Sequence, residues 1–80
     1  MSRRKKRTQD GEVFGAVIRR LRSERGLTQE VLAERTDLSV SYIGFIERGE
    51  NVPTLTIVLN LAEALSVDAA ELVREVARRR

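Results

Sequence analysis

Two hydroxyl residues, Thr28 and Ser39, each stand just before a short run with helical spacing. A hydroxyl so placed caps a helix, and the other N–H groups of the first turn are then donors for anions. Near them lie Ser41 and Arg48, both able to hydrogen-bond, with Val40, Gly44 and Phe45 interleaved. Such side chains suit phosphate oxygens and base edges. The chain has no histidine and no cysteine, so imidazole and thiol chemistry, disulfides and the common zinc ligand sets are excluded. It also lacks a phosphate-cradling glycine loop. The expected chemistry is binding, not catalysis, with no metal and no cofactor.

Five helices must position these residues. Asp10 is the expected cap of a first helix reaching about Arg25, with Phe14, Val17, Ile18 and Leu21 as its apolar stripe and Gly26 as its stop. Thr28 caps a second helix, residues 29–36, that turns Val31 and Leu32 inward. Ser39 caps a third, residues 40–48, that buries Ile43 and Ile46. Its opposite face carries Val40, Ser41, Gly44, Phe45 and Arg48. Pro53 breaks the chain before a fourth helix, capped by Thr54, whose stripe reads Leu55, Val58, Leu59, Ala62 and Leu65. Asp68 and Glu71 have the spacing of a capping box at the head of a fifth, which carries Leu72, Val73 and Val76. No strand-like alternation appears, so the fold class is all-α.

Helices two and three with their tight turn have the form of a helix-turn-helix, in which a small residue allows the close crossing; Ala33 is suitably placed. The chain resembles the Cro and phage-repressor-like helix-turn-helix family, also called the xenobiotic-response-element family. The matching segments are Ile18-Arg19-Arg20-Leu21-Arg22, Gly26-Leu27-Thr28-Gln29-Glu30, Leu32-Ala33 and Tyr42-Ile43-Gly44-Phe45-Ile46-Glu47-Arg48-Gly49. Pro53-Thr54-Leu55 and Leu61-Ala62-Glu63-Ala64-Leu65 continue the match.

The resemblance implies a compact five-helix, lambda-repressor-like domain that binds double-stranded DNA through helix three and regulates transcription. It implies that Gln29 contacts a phosphate and braces the recognition helix. Ser39, Val40, Ser41, Tyr42 and Phe45 would then face DNA, and Arg48, Asn51 and Thr54 would contact the DNA backbone. Arg22 and Glu47 match a pair that ties helix one to helix three; an exposed pair of little energetic value is the plainer alternative. Two departures stand out: Asp37 fills a turn position often held by glycine, and Val40 and Phe45 replace the usual Gln or Arg. Specificity would then rest on Ser41, contacts with thymine methyls and DNA shape.

Net charge is +3, from 15 basic and 12 acidic residues. Eight of the basic residues are Arg3, Arg4, Lys5, Lys6, Arg7 and Arg78–Arg80, so residues 8–77 carry seven against twelve, a net of −5. The chain therefore divides into a basic arm expected to be disordered (1–9), a DNA-binding domain (10–77) and a basic tail (78–80). The arm either clamps DNA or is a solvated tail. Leu72, Val73 and Val76 are either local core cover or the interface of a homodimer reading a palindromic operator. Without a membrane span or secretion signal, the expected place is the cytoplasm. Glu47 and Glu50 offer a possible contact for RNA polymerase. The rival reading is an antitoxin or inhibitor module that uses the same fold on a cognate protein.

Overall fold

Each helix of the computed structural model, which describes residues 8–80, starts on a side chain that accepts a backbone N–H of the first turn. Thr8 accepts from Gly11 and opens α1 (Gln9–Glu24). Thr28 accepts from Val31 at the head of α2 (Gln29–Thr36), and Ser39 from Tyr42 at that of α3 (Val40–Glu47). Thr54 and Asp68 do the same for α4 (Leu55–Ala64) and α5 (Ala69–Arg79). These bonds satisfy donors that an isolated helix leaves open.

Three expectations are corrected. The first cap is Thr8 and not Asp10, which lies inside the first turn, where its charge suits the helix dipole. Starting at Gln9 turns Gly11 inward, against the carbonyl of Gly49 and Val52. At the other end Arg78 and Arg79 continue α5 and do not form a separate tail. The capping box is incomplete: Asp68 accepts from Ala70, while Glu71 pairs with Arg74. The arm residues 1–7 lie outside the described residues.

The four turns share one device. The N–H groups of Leu27, Leu38, Glu50 and Val67 donate to the carbonyls of Arg22, Ala33, Phe45 and Ala62, at 2.9–3.0 Å. Just before each donor the backbone is left-handed, at Gly26, Asp37, Gly49 and Ser66 (φ 69°, 59°, 77° and 56°). Asp37 thus takes the conformation that glycine often supplies, and its short polar side chain tolerates it. Ser66 is the least suited of the four. Ser66→Gly should raise stability by about 0.5–1 kcal/mol, the relieved backbone strain outweighing the greater freedom of the unfolded chain. A thermal midpoint unchanged or lowered would show that Ser66 is not strained.

The core gathers Phe14, Val17, Ile18 and Leu21 of α1, Leu32 and Ala33 of α2, and Ile43 and Ile46 of α3, closed by Leu61, Ala62, Leu65 and Leu72. The expected stripe of α4 is rotated. Leu55 and Leu59 are 70% and 47% exposed, while Leu61, omitted from it, is fully buried. Nearly every position of α4 is apolar, so hydrophobicity alone defines no unique face. The polar residues Thr56, Asn60 and Glu63 do, since they lie opposite Val58, Leu61 and Leu65. Arg20 of α1 pairs with Glu24 and with Glu75 of α5, which also meets Arg79. The hydrogen bond that Arg20 donates to Glu24, supported by Glu75, raises the Arg20 pKa.

Candidate nucleic-acid interface

The pose of α3 is set by its two neighbours. Against α1 the seam is made of glycine. A Cβ built on Gly15 would lie 2.2 Å from the Ile46 carbonyl oxygen and 2.8 Å from that of Glu47. One turn earlier Gly11 faces the Gly49 carbonyl, and Gly49 in turn faces the backbone of Glu12. α1 therefore meets the end of α3 at backbone contact distance, while Ala33 of α2 is buried in the shared core with Ile43 and Ile46.

A buried polar network fixes the rotation of α3. The Glu47 carboxylate lies between Arg22 and Gln29. Arg22 Nε donates to Oε2 at 2.6 Å and Nη2 to Oε1 at 3.2 Å, while Nη1 donates to the Leu27 carbonyl at 2.8 Å. Gln29 Nε2 donates to Oε1 at 2.9 Å. The Glu47 side chain is 3% exposed and that of Arg22 14%, so this is an interior ion pair with its hydrogen bonds filled. Gln29 braces the recognition helix through Glu47. Burial also withdraws Glu47 from any surface contact with RNA polymerase.

The network leaves the outer face of α3 to solvent. Val40, Ser41 and Phe45 are exposed on it. Gly44, expected to be open, is buried, because the Arg48 side chain lies over it. Tyr42 is half-buried, and its hydroxyl donates to Asn51 Oδ1 at 3.0 Å, tying α3 to the following loop. Ser39, Thr28 and Thr54 are engaged as caps, with their helix N-termini at the surface. The expected contact residues thus occupy α3, the head of α2 and the 51–54 loop.

The dimer candidates separate. Leu72 is 1% exposed and belongs to the core, so it is removed from the interface; its position on α5 turns it toward α1 and α4. Val76 packs against the core edge and only Val73 is exposed. The apolar residues that sequence reasoning placed inside, Leu55 and Leu59, are outside, as is Val52. Val52, Val58, Val73 and Val76 line a shallow apolar cleft whose rim carries the Asp10–Arg80 ion pair. The missed signal was again the polar face of α4.

Comparison with known proteins agrees with this geometry. Residues 13–77 match the family described as a helix-turn-helix domain. The chain is 40% identical over 63 residues to the uncharacterized HTH-type transcriptional regulator YazB of Bacillus subtilis (strain 168), covering 79% of this chain and 91% of that protein. It is 37% identical over 62 residues to the control protein C.SmaI of Serratia marcescens, covering 78% and 74%. Among solved structures it is similar to the restriction-modification controller protein C.AhdI from Aeromonas hydrophila. That match has 42% identity and a TM-score of 0.78, and covers 81% of this chain and 98% of the other.

Proposed function

Because the chain belongs to the helix-turn-helix family and is a DNA-binding transcriptional regulator, we propose that it acts as a homodimer on a two-fold symmetric operator. Each copy places α3 in the major groove of one half-site. Ser39, Val40, Ser41, Tyr42 and Phe45 face base edges, while Thr28, Gln29, Asn51 and Thr54 hold the phosphates. Its role is binding, without a catalytic step, and its place is the cytoplasm, with the DNA. While monomers predominate, dimer grows as the square of the monomer concentration, so operator occupancy rises steeply as the regulator accumulates.

The observation that carries the dimer is the distribution of exposed large apolar residues. Val40 and Phe45 sit on α3, but Val52, Leu55, Leu59 and Val73 sit on the α4–α5 side. Such a group on a small domain marks an association surface, and one separate from α3 leaves the reading face open. The interface accordingly consists of Leu55, Leu59 and Val73, with Val76 at its edge.

Sedimentation and selection from random duplex DNA test the reading together. The wild type should sediment as a dimer and recover a two-fold symmetric motif. Leu55→Glu combined with Val73→Glu should give folded monomers that bind that motif roughly 100-fold more weakly, the avidity of the second half-site being lost. Dimers persisting in this variant would move the interface elsewhere. A monomeric wild type recovering an asymmetric motif would refute the dimer.

A further inference from the structure

We propose that Arg48 reads a guanine in each half-site, held on the base-facing side of α3 by Phe45, Gly44 and Glu50. The resemblance to repressor-like proteins implies a backbone contact for this position, and the conformation of the side chain argues otherwise. Here it folds back along the outer face. Its guanidinium carbon is 5.3 Å from the centroid of the Phe45 ring, within the range of a cation–π contact. Its Nη1 packs so close to Gly44 that a Cβ there would be only 3.0 Å away. Nε donates to Glu50 Oε2 at 3.0 Å.

These three contacts orient the fork. With Nε engaged, the side chain has no other hydrogen bond among the described residues, so Nη1 and Nη2 are the donors it can present. Two parallel N–H donors match the O6 and N7 acceptors of guanine in the major groove, and a neutral amide or hydroxyl does not reproduce that match. The ring beneath the guanidinium is the largest exposed apolar group on the same face, and it suits the methyl group of an adjacent thymine. Phe45, which by itself lacks any donor, thus becomes the platform of one. Gly44 is a positioning residue: it leaves room for the fork. The side chain of Arg48 is 53% exposed, so its replacement leaves the fold intact.

The inference rests on the chain being sequence-specific, and the experiment separates the two. Wild type, Arg48→Lys and Gly44→Ala would each select from random duplex DNA, and each would then be titrated onto the wild-type motif. The wild type should fix one G·C pair per half-site. Arg48→Lys keeps the charge but loses the fork, so its preference at that pair should fall about 10-fold or more, with the dependence of affinity on salt unchanged. Gly44→Ala, which displaces the fork, should lose the same preference while melting higher than wild type. Exchanging that guanine for 7-deazaguanine, which removes N7, should weaken the wild type more than it weakens Arg48→Lys. Variants that retain the full preference at every base pair would overturn the assignment and return Arg48 to the phosphates. A wild type that recovers no motif would refute sequence-specific reading itself, and this inference with it.

Discussion

Replacing Gly15 with alanine should destabilise the protein by at least about 3 kcal/mol and lower its thermal midpoint by roughly 10–25 °C. The added methyl would meet the carbonyl oxygens of Ile46 and Glu47 at 2.2 and 2.8 Å. These are backbone atoms at the end of α3, and no rotamer change removes them. α1 and α3 must therefore separate, which opens the packing of Phe14, Val17 and Ile18 on Ile43 and Ile46. Alanine's better helix propensity returns only about 1 kcal/mol. A domain of this length has about 4–12 kcal/mol of total stability, so the loss is a large fraction of it. Gly44 provides the internal comparison. The same substitution there meets only the flexible tip of Arg48, and helix propensity should make it stabilising. Paired thermal melts of the two variants decide the matter: equal midpoints would mean that the α1–α3 seam yields without cost.

This asymmetry between two glycines marks the boundary of what a sequence can tell. Both lie inside helices, where glycine is locally unfavourable, and each therefore signals a close approach of some kind. Which approach, and how close, depends on a distance between helices that no local pattern contains. Local rules succeeded where the physics is local. Thr28, Ser39 and Thr54 cap the helices they precede because a cap needs only its own first turn. Gly26 and Gly49 end helices for an equally local reason. Where two cap-type residues compete, as Thr8 and Asp10 do, the side-chain chemistry is nearly balanced. Tertiary burial of Gly11 accompanies the choice of Thr8.

The candidate interface was legible in its outline and incomplete in its contacts. Arg22, Gln29 and Glu47 follow from the resemblance, but that all three meet at one carboxylate is a fact of packing. Leu72 and Val73 are neighbours on a strongly amphipathic helix, and periodicity could not tell which one the core would take. It takes Leu72, because α5 packs on α1 and α4 with that residue in the shared core, leaving Val73 outside. The resemblance implies a backbone contact for Arg48, and nothing in the local pattern says which way its side chain lies. Folding back over Gly44 and Phe45 is a side-chain choice, visible only in three dimensions.

Arg22→Met should cost about 3–5 kcal/mol, more than its loss of contacts alone would suggest. The substitution leaves the Glu47 carboxylate buried with Gln29 as its one remaining side-chain donor, and an interior charge with too few donors is strongly disfavoured. Glu47→Gln should cost less, because an amide oxygen can still accept from Gln29 while Arg22, the more exposed partner, regains some water. The combined Arg22→Met and Glu47→Leu variant should be more stable than Arg22→Met alone, since the stranded charge goes with its partner. With Glu47→Leu alone added to close the double-mutant cycle, urea unfolding measures the coupling, which should exceed about 1 kcal/mol. Strict additivity would mean that the two residues act independently, as an exposed pair would. The network also determines what the melt does not record. Glu47 is the last residue of α3, and its two partners stand on α1 and at the head of α2. A well-packed apolar pair could hold these elements together, but it would not fix the rotation of α3 as three directed hydrogen bonds do. The combined variant should therefore recover stability without recovering operator affinity. Full recovery of both would show that packing alone orients the recognition helix.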